Sequence, residues 1–161
     1  MIEAEKIDTL EAFLALSMLL EFESADRLTE LALRMRQHEA EELAQLLDEL
    51  AVNSEKHASE IQELSDGHVL PELATLDLSW EGLEGPETTA YGSVTAQTQV
   101  DEMLQIALRN EIRGQDFYAN ISLRSPSPEV RKLAAEFADE ENEHVMMLQQ
   151  RIDRDNQATR H

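Results

Sequence analysis

Glu141 and His144 are the pair in this chain whose type and spacing best suit chemistry. They lie three positions apart within Phe137-Ala138-Asp139-Glu140-Glu141-Asn142-Glu143-His144-Val145-Met146-Met147-Leu148. On a helix, residues three apart share a face. The same face carries Val130, Leu133, Ala134, Phe137, Leu148 and Ile152, so a carboxylate and an imidazole point into an apolar stripe. Ionisable groups buried in this way need a compensating partner. A metal ion is one candidate, and carboxylate oxygen with imidazole nitrogen suits iron, manganese and zinc. Among 34 acidic residues and five histidines one such pair also arises by chance. Its weight comes from a partial second copy.

Glu21-Phe22-Glu23-Ser24-Ala25-Asp26-Arg27-Leu28 can be laid over Glu111-Ile112-Arg113-Gly114-Gln115-Asp116-Phe117-Tyr118. Likewise Ser54-Glu55-Lys56-His57 matches Glu141-Asn142-Glu143-His144. The separation is 36 residues from Glu21 to His57 and 33 from Glu111 to His144, so the first half carries the longer turn. Each half then reads as a helical hairpin, with a glutamate on one helix and a histidine on the next. Taken alone, His57 on an apolar face reads more readily as a packing residue than as a ligand. The first copy also lacks a carboxylate, because Ser54 stands where the second has Glu141. Glu55 beside it points about 100° away on an ideal helix.

The elements that must position these residues follow from caps, breakers and apolar spacing. Asp8-Thr9-Leu10-Glu11 reads as a capping box with Asp8 as N-cap, opening a helix over about 9–36. Its inner stripe is Leu14, Met18, Glu21, Ala25, Leu28 and Ala32. Helix length alone places a turn near Gln37 and His38. A second helix spans about 39–66 and stops at Gly67, with Leu43, Leu46, Leu47, Leu50, Ile61 and Leu64 inward and Asn53, Ser54 and His57 on the same stripe. Pro71, Gly82, Gly85, Pro86 and Gly92 then break any helical period over 67–95, with Trp80 as an anchor. A helix of about 28 residues is roughly 42 Å long, a distance that about 13 extended residues cover. The segment is therefore long enough to cross the full length of a bundle. A third helix over about 96–123 presents Val100, Leu104, Ala107, Leu108, Glu111 and Tyr118. Ser127 caps a fourth over about 128–154, with Pro128 at its first position and a frayed polar tail beyond.

Composition sets the outer bounds. The 161 residues fit one domain, 1–161, with enough chain for a core. Leu, Ala, Glu and Gln dominate, a helix-forming composition. A net charge of −21 argues against nucleic acid or an anionic membrane as partner and is compatible with cation uptake. With no cysteine there is no disulfide, thiolate metal site or rubredoxin-like iron centre. The N-terminus does not read as a signal peptide, and the apolar run Phe13 to Leu20 is far short of a membrane span. A soluble cytoplasmic protein is the expectation.

From residue 9 to 154 the sequence resembles the ferritin-like superfamily, and within it the rubrerythrin-type diiron domains. The resemblance rests on the two hairpin copies, above all on Glu111, on Tyr118 seven residues later, and on Glu141-Asn142-Glu143-His144. It implies an all-α four-helix bundle of two hairpins joined by a long crossover, with core ligands contributed by facing helices. Carried over by position, the ligands are Glu21, His57, Glu111, Glu141 and His144, with Tyr118 as a hydrogen-bond donor behind them. The implied cofactor is iron, two ions per chain, with manganese or zinc as substitutes. The implied activity is oxidation or peroxidation with dioxygen or peroxide as substrate. Three departures bear on that activity. Ser54 replaces a ligand and weakens the second ion, Gly114 stands where rubrerythrins carry a further glutamate, and the rubredoxin module is missing. The alternatives are a metal-binding protein with an incomplete site and little catalysis, or a metal-free helical interaction module. Met18, Met103, Met146 and Met147 read as core fillers, and Glu140 and Glu143 as solvated. A homodimer is expected, its halves able to exchange through the crossover and Leu70, Leu73 and Trp80 covering the partner.

Overall fold

The computed structural model describes residues 4–72 and 96–159. A short 3₁₀ turn, Ala4–Lys6, precedes four helices: α1 (Leu10–Gln37), α2 (Glu41–Leu64), α3 (Ala96–Arg124) and α4 (Pro128–Thr159). No strand occurs among the described residues. α1 pairs with α2 and α3 with α4, while the two hairpins meet chiefly through α1 and α3. This is the expected all-α four-helix bundle. Most of the expected crossover, residues 73–95, lies outside the described residues, and with it Leu73 and Trp80.

Local chemistry sets the helix ends, and in places it differs from expectation. The N-cap of α1 is Thr9 rather than Asp8: its Oγ1 accepts a hydrogen bond from the Ala12 amide at 3.1 Å. That leaves Glu11 available for His68, whose Nδ1 lies 2.9 Å from its carboxylate just beyond α2. The α1–α2 turn contains Glu39 at φ 61°, the left-handed conformation in which helices commonly end. α2 ends at Leu64, and Gly67 takes φ 79° two residues past the cap. At the other hairpin, Ser127 Oγ accepts from the Val130 amide at 3.3 Å, with Pro128 opening α4. α4 continues to Thr159, beyond the expected end near 154. Same-face pairs Gln149–Asp153 and Arg151–Asp155 support this last stretch.

Along every helix the apolar residues divide into two groups with polar residues between them. One cluster includes Leu28, Met35, Leu47, Leu50, Met103 and Leu148. The other includes Ile7, Phe13, Leu14, Tyr118, Ile121 and Phe137. Between them lie Glu21, Ser54, His57, Glu111, Glu141 and His144, all buried. Some residues expected inside are not. Asn53 is exposed, and Leu64, Met146 and Met147 also face solvent. Of the four methionines read as fillers, Met103 is fully buried and Met18 partly. Leu70, expected to be free for a partner, is half-buried against the second cluster. Among the described residues, no helix is long and apolar enough to cross a membrane.

Ser125 ties the α3–α4 turn to the N-terminal segment. Its buried hydroxyl donates to the Ile7 carbonyl at 2.6 Å and accepts from the Ser127 amide at 3.2 Å. Ser125→Ala leaves that carbonyl without its donor, and a loss of about 1–3 kcal/mol is expected. Urea denaturation of the two proteins checks it.

Candidate metal centre

The polar layer sits at the same height on all four helices because each contributes its Glu or His midway between its two apolar runs. Two groups of three side chains each bring their donor atoms within 4.8 Å of one another: Glu21, His57 and Glu141, and Glu111, Glu141 and His144. Glu141 belongs to both. The five residues singled out in the sequence are thus gathered around one shared carboxylate, with one Glu and one His on either side.

Few of their polar atoms are satisfied. Tyr118 Oη donates to Glu21 Oε1 at 2.9 Å, and His57 Nδ1 lies 3.0 Å from the same oxygen. Glu21 Oε2 has no hydrogen-bond partner, and neither does either oxygen of Glu111. His144 Nδ1 stands 3.4 Å from Glu111 Oε2 and 3.7 Å from Glu141 Oε2, and it too makes no hydrogen bond. Leaving buried carboxylates so poorly met costs several kcal/mol each. Those orphaned atoms converge, which is what a cation would require.

The two halves solve the same packing problem differently. Gly114 lies against Glu141: a Cβ there would come within 3.4 Å of Glu141 Oε2 and 3.5 Å of its carboxyl carbon. In the first half Ser24 corresponds to Gly114 and Ser54 to Glu141. These two serines fill the equivalent space together, with Oγ atoms 3.4 Å apart, Ser54 fully buried and Ser24 partly. Ser54 therefore does sit in the polar layer, facing α1. Glu140, expected to be solvated, was the residue missed. Its side chain is half exposed, yet Oε2 reaches to 2.6 Å from His57 Nε2. Only its place beside Glu141 hinted at this.

Burial dominates the electrostatics. It raises the Glu21 carboxyl above its ordinary range, with His57 opposing. Glu141 is raised by burial to about 7, with His144 opposing and the charge of Glu111 adding to the rise. For His144, burial pushes down, but Glu111 and Glu141 outweigh it and lift the imidazole to about 10. His57 is raised as well, its burial outweighed by Glu21 and then Glu140. Tyr118, fully buried beside Glu21 and Glu141, is held well above the usual phenol range and stays a donor.

A solved structure of an uncharacterized conserved protein from Magnetospirillum magnetotacticum MS-1 is similar to this chain. The identity is 35% and the TM-score 0.78, over 91% of this chain and 95% of the other. The two proteins belong to one family. This conserved family shares the bundle along almost its whole length, and what the centre does must be argued from its side chains. No family profile and no curated protein matches the chain.

The raised values carry a pH dependence. Glu141 rises from 4.5 to about 7 and His144 from 6.5 to about 10 on folding, so both hold protons more tightly in the folded state. The stability this gives is fully present below the unfolded values and is lost as pH rises through the folded ones. Chelator-treated protein should therefore lose stability between about pH 5 and 10. Glu141→Gln should flatten the lower part of that decline. Denaturation midpoints across the range measure both.

Proposed function

We propose that the protein is a rubrerythrin-type carboxylate–histidine protein that holds two transition-metal ions, iron foremost, and uses them in redox chemistry with dioxygen or peroxide. The observation that carries this reading is the set of buried, unbonded donors, Glu21 Oε2, both Glu111 oxygens and His144 Nδ1, around a Glu141 common to two ligand groups. Three carboxylates and two imidazoles in a cysteine-free chain form a donor set suited to iron or manganese. Glu21, His57 and Glu141 would hold one ion, and Glu111, His144 and Glu141 the other. Bound iron would supply the electrons for reducing dioxygen or peroxide. The protein's part is to position and to exclude water. Tyr118 fixes one oxygen of Glu21 and leaves the other available. The Phe13, Tyr118 and Phe137 rings pack around each other beside the layer and keep it dry. Protons held by Glu141 and His144 leave as an ion binds, so uptake favours higher pH.

Ser54 favours a second reading, in which occupancy is unequal and catalysis slight. Four carboxylates would surround two ions if Ser54 were Glu; here the Glu21–His57 side shares the single bridge offered by Glu141.

Anaerobic reconstitution with ferrous iron followed by elemental analysis tests the first reading, which requires about two ions per chain, whereas about one favours the second. Glu141→Gln should reduce retention on both sides, whereas Glu111→Gln should spare the Glu21–His57 side. A chain that retains no metal would leave the bundle a purely structural module.

The serine pair offers a further test. Ser54→Glu alone brings a carboxylate against Ser24, 3.4 Å away in the present structure. Ser24→Gly with Ser54→Glu reproduces the Gly114–Glu141 arrangement of the other half. The double variant is expected to bind the second ion more tightly and to lose a few kcal/mol when metal-free, since it buries one more carboxylate. Metal titrations and melting curves, with and without iron, give both numbers.

A further inference from the structure

A third group of donors lies on the outer side of His57. His57, Glu60 and Glu140 each place one donor atom within 4.8 Å of the other two. Glu60 follows His57 by three positions on α2 and shares its face. Glu140 precedes Glu141 on α4 and is turned about 100° from it, away from the core and towards α2. Both carboxylates belong to exposed residues. Exposed acidic pairs are common on a chain of this charge, and such a pair says nothing of a ligand by itself.

The deciding observation is the imidazole between the two sites. His57 is only 4% exposed. Its Nδ1 faces Glu21 in the core at 3.0 Å, and Nε2 therefore points the other way, into the acidic pair. There it lies 2.6 Å from Glu140 Oε2 without making a hydrogen bond. At that distance positive charge has to join the two atoms: a proton on the imidazole in the metal-free chain, whose place a metal cation can take. A transition-metal ion with both ligands at about 2.1 Å and near right angles would set them about 3.0 Å apart. A small opening suffices. The arrangement is also not imposed by the bundle, because the repeat places Met147 opposite Glu60 and Asn53 opposite Glu140, and that half has no such acids.

We propose that His57 Nε2, Glu60 and Glu140 form an outer site for a hydrated divalent transition-metal cation, from which the buried centre is loaded. The outer ion would keep part of its water shell and be held more weakly than a buried one. One neutral imidazole offers a single lone pair, since the other ring nitrogen carries the proton. His57 therefore cannot serve both sites at once in that form, and filling the inner position on Nδ1 releases the outer one on Nε2. The negative field of the chain would concentrate cations at this opening. The loading role rests on the reading of the buried centre as a metal site.

Manganous ion alone is a suitable probe, with unbound ion followed by electron paramagnetic resonance and uptake by stopped flow. Two variants separate the sites: Glu60→Gln with Glu140→Gln for the outer, and Glu111→Gln with Glu141→Gln for the inner. The outer variant should lose a weakly held ion and fill the tight positions about tenfold more slowly, with final tight content unchanged. The inner variant should lose tight binding and keep the weak ion. Anomalous scattering from its crystals at the manganese edge should place that ion between His57, Glu60 and Glu140. An outer variant with wild-type stoichiometry and wild-type loading would overturn the proposal while leaving the buried centre standing. If wild type shows no tight binding, the buried centre fails and the loading role with it. Anomalous density at His57, Glu60 and Glu140 would still support the outer site, and its absence would sink that as well.

Discussion

Three carboxylates, Glu21, Glu111 and Glu141, share the interior of a narrow bundle with two imidazoles, and the rest of the structure accommodates that crowding. Like charges at such range in a dry interior repel strongly. The metal-free chain answers by retaining protons: Glu141 titrates near 7, and His144 stays charged to about 10. An apolar layer of the same volume would be more stable. The cost is tolerable because two well-packed apolar clusters flank the layer on all four helices.

Those clusters also do the positioning. His57 rests edge-on against Phe137 at 4.6 Å between centroids, and Phe137 stacks on Phe13 and meets Tyr118 edge-on. The ring holding the shared imidazole is thus continuous with the phenol that holds Glu21. Packing on one side of the layer sets the direction of donors inside it. The Ser125 link to Ile7 closes the same end of the bundle and keeps Ile7 in that cluster.

Most of the architecture was legible in the sequence because it depends on periodicity and on caps. Glu21, Glu111, Glu141 and His144 could be read as inward because each continues an apolar stripe at three- and four-residue steps. Ser127-Pro128 marked the start of α4 without ambiguity. What was not legible depended on partners distant in sequence. Thr9 competes with Asp8 for the cap, and Glu11 is claimed by His68, 57 positions away. Glu140 reads as one more solvated acid until α2 brings His57 beside it. The sharing of Glu141 between both ligand groups is likewise a property of how two hairpins meet, and no spacing within one hairpin contains it. Nor does the repeat reveal that Ser24 and Ser54 fill space together, since that requires knowing which side chains touch.

The two halves differ in how strongly facing positions depend on each other. At Gly114 a Cβ would meet Glu141 at 3.4 and 3.5 Å, ordinary contact distances, so an alanine there fits beside the acid. Ser24 and Ser54 already meet through their Oγ atoms at 3.4 Å, so a longer side chain at position 54 has to pass Ser24. Coupling between the facing helices is therefore slack in the second hairpin and tight in the first. The effect of a change at position 54 depends on which residue faces it at 24, whereas position 114 can grow by a methyl group without waiting for position 141.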